Sequence, residues 1–155
     1  FVLSFHMKAQ NYTRDFGVRA GFLINATYRQ YNTDESYFEM MAGIKWNTLS
    51  FTILKEFSKP AFIEFSPNLQ FLYGYGIHAG ITRKNKYEVF TRTYYYDDYR
   101  ISPVFGVDGY IGLEYWFPEI PFIVGIDFKP YFEFSTIQYF NLNLFDSALT
   151  LKFKF

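Results

Sequence analysis

The chain has 155 residues, with 15 Lys and Arg against 15 Asp and Glu, so its formal net charge is zero. It has no Cys, which excludes disulfide scaffolds and Cys-ligated zinc or redox sites, and without a basic stripe it has no electrostatic footprint for nucleic acid. Aromatic residues make up 25% of the chain, yet no apolar run approaches the roughly 18 residues of a membrane-spanning helix.

The first nine residues, Phe1 to Ala9, resemble the tail of a secretory signal peptide that is cleaved after Ala9. We therefore predict that residues 1–9 are a signal segment and that residues 10–155 form a single domain. A short N-terminal extension is the alternative interpretation of the same residues.

From residue 16 onward, apolar and polar residues alternate with a period of two, which is typical of strands with one apolar face. No window shows a helical period. Turn residues and prolines divide the chain into eight predicted strands, which are 16–29, 36–46, 49–57, 68–82, 86–95, 101–117, 121–134 and 144–155. The fifth strand alternates weakly and is included because an up-and-down membrane barrel has an even number of strands.

With these eight strands, the connections sort by length between the two ends of a barrel. The short turns fall at one end together with the C-terminus, namely 47–48, 83–85 and 118–120. The other connections, mostly longer, fall at the opposite end, namely 30–35, 58–67, 96–100 and 135–143. Pro130 fits poorly inside the seventh strand because it lacks an N–H donor, so we expect a bulge or the barrel rim there.

Glycine indicates which face of the barrel is inside. Nine of the ten glycines lie on the polar face, and Gly109 is the exception. Space is short inside an eight-stranded barrel, whereas glycines on the outside of a soluble barrel would cost stability without relieving crowding. The sequence therefore predicts an all-β, eight-stranded antiparallel up-and-down transmembrane barrel, with its polar face in the lumen and its aromatic face in lipid.

The polar face carries charges of both signs. Because unpaired buried charges are costly, we predict a network of salt bridges and hydrogen bonds that fills the lumen, rather than an ion path. The residues assigned to this network are Arg19, Glu39, Lys45, Glu56, His78, Asp108, Glu114, Asp127, Lys129 and Lys152.

Aromatic residues on the apolar face cluster beside the predicted short turns and the C-terminus. This is where an interfacial aromatic girdle is expected, although ordinary strand-end aromatics are the alternative. The residues assigned to the girdle are Trp46, Tyr115, Phe117, Phe122, Phe153 and Phe155.

The closing residues resemble the C-terminal strand signal of bacterial outer-membrane barrels. Those proteins end in an aromatic residue, with apolar residues two, four and six positions earlier. Phe155, Phe153, Leu151 and Leu149 occupy these four places. Residues 106–115, followed by 120–121 and 127–130, also resemble small barrels from Bacteroidota.

A resemblance to small OmpA/OmpX-like barrels implies an outer-membrane location with both termini in the periplasm. It implies contact with outer-membrane lipid and recognition of the last strand by the barrel-assembly machinery. Such families mostly have no assigned function. We therefore expect a structural, adhesive or accessory envelope role without catalysis, cofactor or metal.

One segment is a candidate contact surface for an extracellular or envelope partner. It consists of Tyr95, Tyr96, Asp97 and Asp98, in a run of aromatic and acidic residues. Exposed aromatic side chains are good contact residues. A solvated turn is the alternative interpretation.

Two alternatives from other functional classes remain open. A soluble, secreted lipocalin-like carrier of a hydrophobic ligand would show the same alternation, but with Phe22, Ile24, Phe71 and Ile77 inside and the charges in water. A lipid-modifying outer-membrane enzyme would need His78 at the lipid boundary beside an acid.

Overall fold

The computed structural model describes residues 12–62, 64, 66–89, 92–136 and 140–155, and for residues 62, 84–89 and 92–99 it describes the backbone alone. These ranges contain ten strand segments, which are β1 (Arg14–Ala20), β2 (Ile24–Thr33), β3 (Ser36–Lys45), β4 (Thr48–Phe62), β5 (Ser66–Val89), β6 (Arg92–Trp116), β7 (Phe122–Phe128), β8 (Tyr131–Ser135), β9 (Asn141–Asn143) and β10 (Ser147–Lys154). Within the same ranges, no helix is long and apolar enough to cross a membrane.

The segments form one closed antiparallel sheet. Strands β1 to β6 pair in chain order, and β1 also pairs with β10, for example through Asp15 and Lys154. Segments β7 and β8 lie end to end along β6, and β10 and β9 lie end to end along β7 and β8. Over the described ranges, the ten segments therefore make an eight-stranded up-and-down barrel, which confirms the predicted fold class.

One end of the barrel, called the terminal end here, holds the start of β1 and the end of β10. Arg14 N donates to Phe155 O over 3.2 Å, and Phe155 N donates back to Arg14 O over 2.9 Å. The connection at 117–121 lies beside them, because Lys154 N donates to Pro121 O over 2.8 Å. The turn between β2 and β3, at 34–35, is at the same end.

The opposite end, called the hairpin end, holds the turns at 21–23 and 46–47 and the long β5–β6 hairpin. The pairing of β5 with β4 stops at Thr82, opposite Thr48, but its pairing with β6 continues to Val89, opposite Arg92. The hairpin therefore projects beyond the rim formed by its neighbours. The predicted placement of all short turns at the C-terminal end is wrong, since the turn between β3 and β4 lies at the hairpin end.

The first predicted strand, 16–29, is also wrong, because the chain reverses in its middle. Strand β1 ends at Ala20, and in the turn Gly21 N donates to Leu23 O over 3.2 Å. Strand β2 begins at Ile24, which pairs directly with Ala20. Directly paired residues point to the same face, so apolar residues keep even numbers on both strands. The alternation runs through this turn without a break.

The predicted strand 86–95 is not a separate barrel strand. It covers the far part of the β5–β6 hairpin, and the predicted loop at 96–100 lies inside β6. The predicted turn at 83–85 is an irregularity within β5, where the pairing shifts register between Lys84 and Lys86. One strand too few at the start and one too many here cancel, so the predicted number of strands is right.

Pro130 separates β7 from β8, as its missing N–H donor requires. The register against β6 is the same on both sides of Pro130. The register against β10 and β9 differs by one residue, and the extra residue lies at 144–146. The irregularity expected at Pro130 thus has its additional residue on the neighbouring strand.

Candidate functional site

Burial in this barrel is the reverse of that in a soluble protein. Along β1, β3, β7 and β10, most apolar side chains point outward and most charged and small ones point inward, while Tyr37, Met41 and Ile123 are buried apolar exceptions. Ile77 is 61% exposed and Leu149 is 64% exposed, whereas Arg19 and Arg29 are completely buried. The candidate functional site is therefore the lumen, because the ionisable groups converge there.

The same observation contradicts the lipocalin-like alternative. That alternative placed Phe22, Ile24, Phe71 and Ile77 inside the barrel, and all four are exposed. It also placed Arg19 in water, where it does not lie. A soluble carrier needs an apolar interior for its ligand, and this lumen is lined by charges.

Inward glycines make room for the large lumen side chains. A Cβ at Gly17 would lie 2.6 Å from Cγ of Lys152, and one at Gly76 would lie 2.6 Å from Cδ2 of Leu54. At outward-facing Gly109, the nearest atom to such a Cβ is 3.3 Å away. Any larger residue at the first two positions would overfill the lumen.

The half of the lumen nearer the terminal end holds two cations among four carboxylates. This group, called the terminal cluster, consists of Asp15, Arg29, Glu39, Glu56, Glu114 and Lys152. All six side chains are buried, and each interacts with at least one of the opposite sign.

Arg29 is the centre of the terminal cluster. Its guanidinium binds Glu114 through two hydrogen bonds of 2.9 and 2.7 Å, a bidentate geometry that carboxylates favour. Its Nη2 also lies 3.1 Å from Glu39 and 3.2 Å from Glu56. Lys152 adds contacts of 2.8 Å to Glu39 and 3.1 Å to Glu114. These five residues lie on five different barrel strands, which the network joins across the lumen.

Aromatic side chains cover the terminal cluster. Tyr31 donates to Asp15 over 2.7 Å, and Trp116 Nε1 donates to Glu114 over 3.0 Å. The rings of Tyr31 and Tyr37 meet edge to face at 4.8 Å. A buried group of large side chains lies with them in this half of the lumen, namely Tyr37, Met41, Leu54, Leu72 and Tyr110.

The half nearer the hairpin end holds a second group, called the hairpin cluster, which consists of Arg19, His78, Asp108, Asp127, Lys129, Glu133 and Asp146. Arg19 contacts Asp127 at 2.7 Å and Asp146 at 3.3 Å. Lys129 donates to Asp108 over 2.9 Å. His78 lies between two acids, with Nδ1 2.9 Å from Asp108 and Nε2 3.3 Å from Glu133.

A pocket of about 270 Å³ lies next to the hairpin cluster and opens at the hairpin end. Its walls include His78, Lys129, Glu133 and Asp146 from the cluster. The remaining walls are mostly small polar side chains, namely Asn25, Asn47, Thr48, Ser50, Thr52, Thr82, Asn141 and Asn143. A pocket of about 340 Å³ at the terminal end lies outside the covering rings of Tyr31 and Trp116 and is not lined by the terminal cluster. The hairpin cluster therefore borders an open pocket, whereas the terminal cluster is covered.

The structure places nine of the ten predicted network residues inside the lumen. The tenth, Lys45, has an odd number like the inward-facing residues of β3, but it lies exposed at the rim. Its ammonium is 3.3 Å from the centre of the Phe22 ring. Its assignment to the network is therefore wrong, because the strand ends at this residue and leaves the side chain in the pocket mouth.

Sequence reasoning missed four members of the two clusters, namely Asp15, Arg29, Glu133 and Asp146. Arg29 ended the incorrect strand 16–29, but in the structure it lies in the middle of β2. Asp15 is the second residue of β1, and Asp146 immediately precedes β10. Arg29 shares its parity with Asn25 and Thr27, so the alternation itself contained the signal that would have found it.

Five of the six predicted girdle residues lie at the terminal end of the barrel. The rings of Tyr115 and Phe117 meet at 4.9 Å, and those of Phe122 and Phe153 meet at 5.4 Å. Trp46 is at the other end, in the turn between β3 and β4, and is fully exposed. Its assignment to the same girdle is wrong, since the turn at 46–47 belongs to the hairpin end.

Two predictions lie outside what the structure describes. The signal segment, residues 1–9, precedes the first described residue. The candidate contact residues Tyr95, Tyr96, Asp97 and Asp98 belong to β6, for which only the backbone is described at these positions.

The lipid-modifying alternative required His78 at the lipid boundary. His78 has acidic neighbours, but it lies inside the barrel and is 7% exposed. A catalytic Ser/His/acid arrangement would need a serine and an acid within hydrogen-bond reach of His78. Ser50 lines the same pocket as His78, but Glu114 belongs to the terminal cluster, so Ser50, His78 and Glu114 do not assemble. Over the described residues, no group of three or more His, Asp and Glu side chains is arranged to hold a metal ion.

Comparison with known proteins supports the fold. No protein-family model and no curated protein matches the sequence. Among solved structures, the chain is similar to the N-terminal β-barrel domain of Pseudomonas aeruginosa OprF, with a TM-score of 0.63 and 12% sequence identity. The match covers 92% of this chain and 95% of that one. At this identity the likeness shows a shared barrel fold.

Proposed function

We propose that this protein is an integral outer-membrane β-barrel with a filled lumen, which has a structural, adhesive or accessory role in the envelope and does not catalyse a reaction. The observation that carries this proposal is the reversed burial, with apolar residues around the outside and charges inside. In water, such an apolar surface would be a severe aggregation hazard. In a bilayer, it is the surface that a closed barrel needs.

Aromatic residues support the membrane position. Phe122, Phe153 and Phe155 lie exposed at the terminal end, and Trp46 lies at the hairpin end, outside the apolar residues Ile44 and Leu49. Aromatic side chains prefer both interfaces of a bilayer. The apolar band between these positions is where lipid would contact the barrel.

The proposed orientation puts the terminal end in the periplasm and the hairpin end outside the cell. Outer-membrane barrels have short periplasmic turns and longer extracellular loops. The longest excursion, the β5–β6 hairpin, is at the hairpin end. It carries the candidate contact segment at 95–98, which this orientation would present to partners.

Electrophoretic mobility tests the membrane barrel directly. We expect the protein in the outer-membrane fraction, and we expect its mobility in SDS to change on boiling, because a closed barrel resists detergent at room temperature. Recovery in the soluble fraction, with one mobility under both conditions, would overturn the proposal.

Cysteine labelling tests the orientation, since the chain has no Cys of its own. Asn47→Cys, at the hairpin end, should react with a membrane-impermeant maleimide on intact cells. Asp34→Cys, in the turn at the terminal end, should react only after the outer membrane is opened. The opposite result would reverse the orientation and leave the membrane barrel itself intact.

A filled lumen predicts no steady conductance in planar bilayers. Arg29, Lys152 and their four carboxylates close the terminal half, together with buried Leu54, Leu72 and Tyr110. Stable open channels in the folded protein would contradict this part of the proposal and indicate a transport role instead.

The last strand would serve as the recognition signal for the assembly machinery. Leu149, Leu151 and Phe153 point outward on β10, and Phe155 follows them. Replacing Phe153 and Phe155 by Ala should lower the amount of assembled barrel in cells. Phe145→Ala is a matched control, because Phe145 is exposed but precedes β10. Equal losses in both variants would argue against a specific signal.

A further inference from the structure

The pocket at the hairpin end has no part in holding the barrel in a membrane. It has a volume of about 270 Å³, which is room for several water molecules at roughly 30 Å³ each. Drug-sized ligands occupy pockets of about 300 Å³ and more. The size fits a small ligand, comparable to a single sugar ring.

The charges around this pocket are balanced and mostly engaged with one another. Lys129 is held by Asp108 and lies 3.9 Å from Asp146. His78 is held between Asp108 and Glu133. Lys45 stands at the mouth of the pocket against the Phe22 ring, and inside the mouth a charged ligand would have to displace one of these partners. Breaking a buried pair is costly. The pocket is therefore matched to a ligand without net charge.

The polar groups that remain available are amides and hydroxyls. Over the described residues, the side chains of Ser50, Thr52 and Asn141 have no protein hydrogen-bond partner. Asn25 donates to Leu23 O, whereas Asn143 donates to the hydroxyl of Tyr131 and accepts from Phe145 N. Each of these amides keeps a second N–H and acceptor capacity on its oxygen. Such groups pair well with hydroxyls, which both donate and accept.

Aromatic rings complete the recognition surface. Phe22 stands at the mouth of the pocket, and Tyr131 lines its wall with its ring 5.4 Å from that of His78. The face of an aromatic ring is an apolar platform, and sugars present C–H faces between their hydroxyls. Amides, hydroxyls and rings around a charge-balanced space are together the chemistry that recognises a neutral sugar.

We propose that the pocket lined by Asn25, Thr52, Asn141, Asn143 and Tyr131 at the hairpin end binds a neutral monosaccharide unit. This goes beyond the proposed envelope role, because a purely structural barrel needs no ligand. The unit is either a free sugar or the end of a glycan chain, and both present the same hydroxyls to these side chains. The proposal concerns the folded barrel and does not depend on its orientation in the membrane.

Saturation-transfer NMR on the folded full chain tests this proposal. The detergent must lack a sugar head group, since glucoside and maltoside detergents would compete. D-glucose, D-galactose and methyl glucoside are the neutral probes, and D-glucuronate and D-glucosamine are the charged ones. We expect saturation transfer to at least one neutral probe, with a dissociation constant of about 1 mM. Methyl glucoside that binds as well as glucose would indicate a chain end, and binding of free sugars alone would indicate a free sugar.

A matched pair of double variants locates the binding. Asn141→Ala with Thr52→Val removes an amide and a hydroxyl from the pocket and should weaken binding about tenfold or more. Gln30→Ala with Ser147→Ala removes the same groups from exposed positions outside the pocket and should change nothing. Folding of each variant is checked by the boiling-dependent change in mobility.

Three results would overturn the proposal. One is absence of saturation transfer to every neutral probe, and another is an equal loss of binding in the two double variants. The third is binding of charged sugars alone. If the pocket variant does not fold, the imidazole resonances of His78 in the unmodified protein provide a second measurement. They should shift when a bound neutral probe is added, and unchanged resonances would count against the pocket.

Discussion

At the terminal end of the lumen, Arg29 lies within salt-bridge distance of four carboxylates and large aromatic rings cover them. At the hairpin end, Arg19 contacts two carboxylates and a pocket remains open beside them. Both halves place Arg, Lys, Asp and Glu side chains at inward-facing positions, and the hairpin cluster adds His78. They differ in the uncharged side chains between the charges, since Tyr31, Tyr37 and Trp116 at one end correspond to Ser50 and Thr52 at the other.

Charge pairing alone does not close this barrel. The hairpin cluster is well paired and still leaves a pocket, because its uncharged neighbours are small. The terminal cluster is sealed because bulky side chains fill the space around it. Stability should therefore be concentrated at the terminal end, while the hairpin end is free to serve as a binding site.

Removing Arg29 should cause the largest loss of stability, at the terminal end. Arg29→Met leaves Glu39, Glu56 and Glu114 buried with Lys152 as the remaining cation in their network. Breaking a buried ionic network in this way costs about 3–5 kcal/mol, which is enough to prevent folding of a marginally stable barrel. The measurement is a urea titration in lipid vesicles, with the folded fraction read from electrophoretic mobility.

Arg14→Met is the control for Arg29→Met, because Arg14 is exposed at the start of β1. It should leave the titration midpoint nearly unchanged. Comparable losses in the two variants would mean that the terminal cluster does not stabilise the barrel.

Buried apolar side chains should also contribute more stability in the terminal half than in the hairpin half. Leu54→Ala removes a completely buried side chain from the terminal half, and we expect a loss of about 2–4 kcal/mol from the cavity that remains. Val104→Ala removes a buried side chain that borders the pocket and should cost less than about 1.5 kcal/mol. The difference in unfolding free energy between these variants measures how unevenly the lumen is packed. Equal losses of unfolding free energy in the two variants would mean that the two halves of the lumen are packed equally well.

Within the hairpin cluster, we expect smaller losses of stability, and their size should depend on how deeply each contact is buried. Asp127→Asn weakens the 2.7 Å contact with buried Arg19, and we expect a loss of about 1–3 kcal/mol. Glu133→Gln alters a 3.3 Å contact at the pocket wall, where solvent reaches the carboxyl, and should cost less than about 1 kcal/mol. The same urea titration ranks them. A larger effect for Glu133 would indicate that the pocket wall is a main source of stability.

The two tryptophans give the smallest expected change in stability and a clear spectroscopic contrast. Trp46 is fully exposed at the hairpin end, whereas Trp116 donates to Glu114 inside the lumen. In a Trp116→Phe variant, bromine-labelled lipids should quench the fluorescence of Trp46. In a Trp46→Phe variant, the same lipids should leave Trp116 largely unquenched. Strong quenching of Trp116 would be incompatible with its position in the lumen.

Whether outward-facing residues have even or odd numbers explains which hairpins could be predicted from the sequence. Across the turn at 46–47, Lys45 pairs with Thr48, so outward residues change from even numbers, such as Ile44, to odd numbers, such as Leu49. That change marks the turn. Across the turn at 21–23, the paired residues Ala20 and Ile24 are both even, and the pattern continues as though the strand were straight. Alternation reports the face of a residue but not the direction of the chain.

The candidate site could be predicted in part for the same reason. Inward parity identified Glu39, Glu114 and Lys152 as lumen residues, because it depends on face alone. Which charges meet depends on strand order and on height along the barrel, and the sequence pattern contains neither. The division into two clusters, and the pocket beside one of them, follow from those two quantities.

Closure of the barrel between β1 and β10 makes folding a long-range event. The pairing of Asp15 with Lys154 joins nearly opposite ends of the described chain, and contacts of such sequence separation form slowly. Until β10 docks, β1 and β7 each present a row of unpaired backbone groups, which hydrocarbon does not tolerate. The chain therefore has no stable halfway form in lipid, and it must be kept from aggregating until its last strand is available.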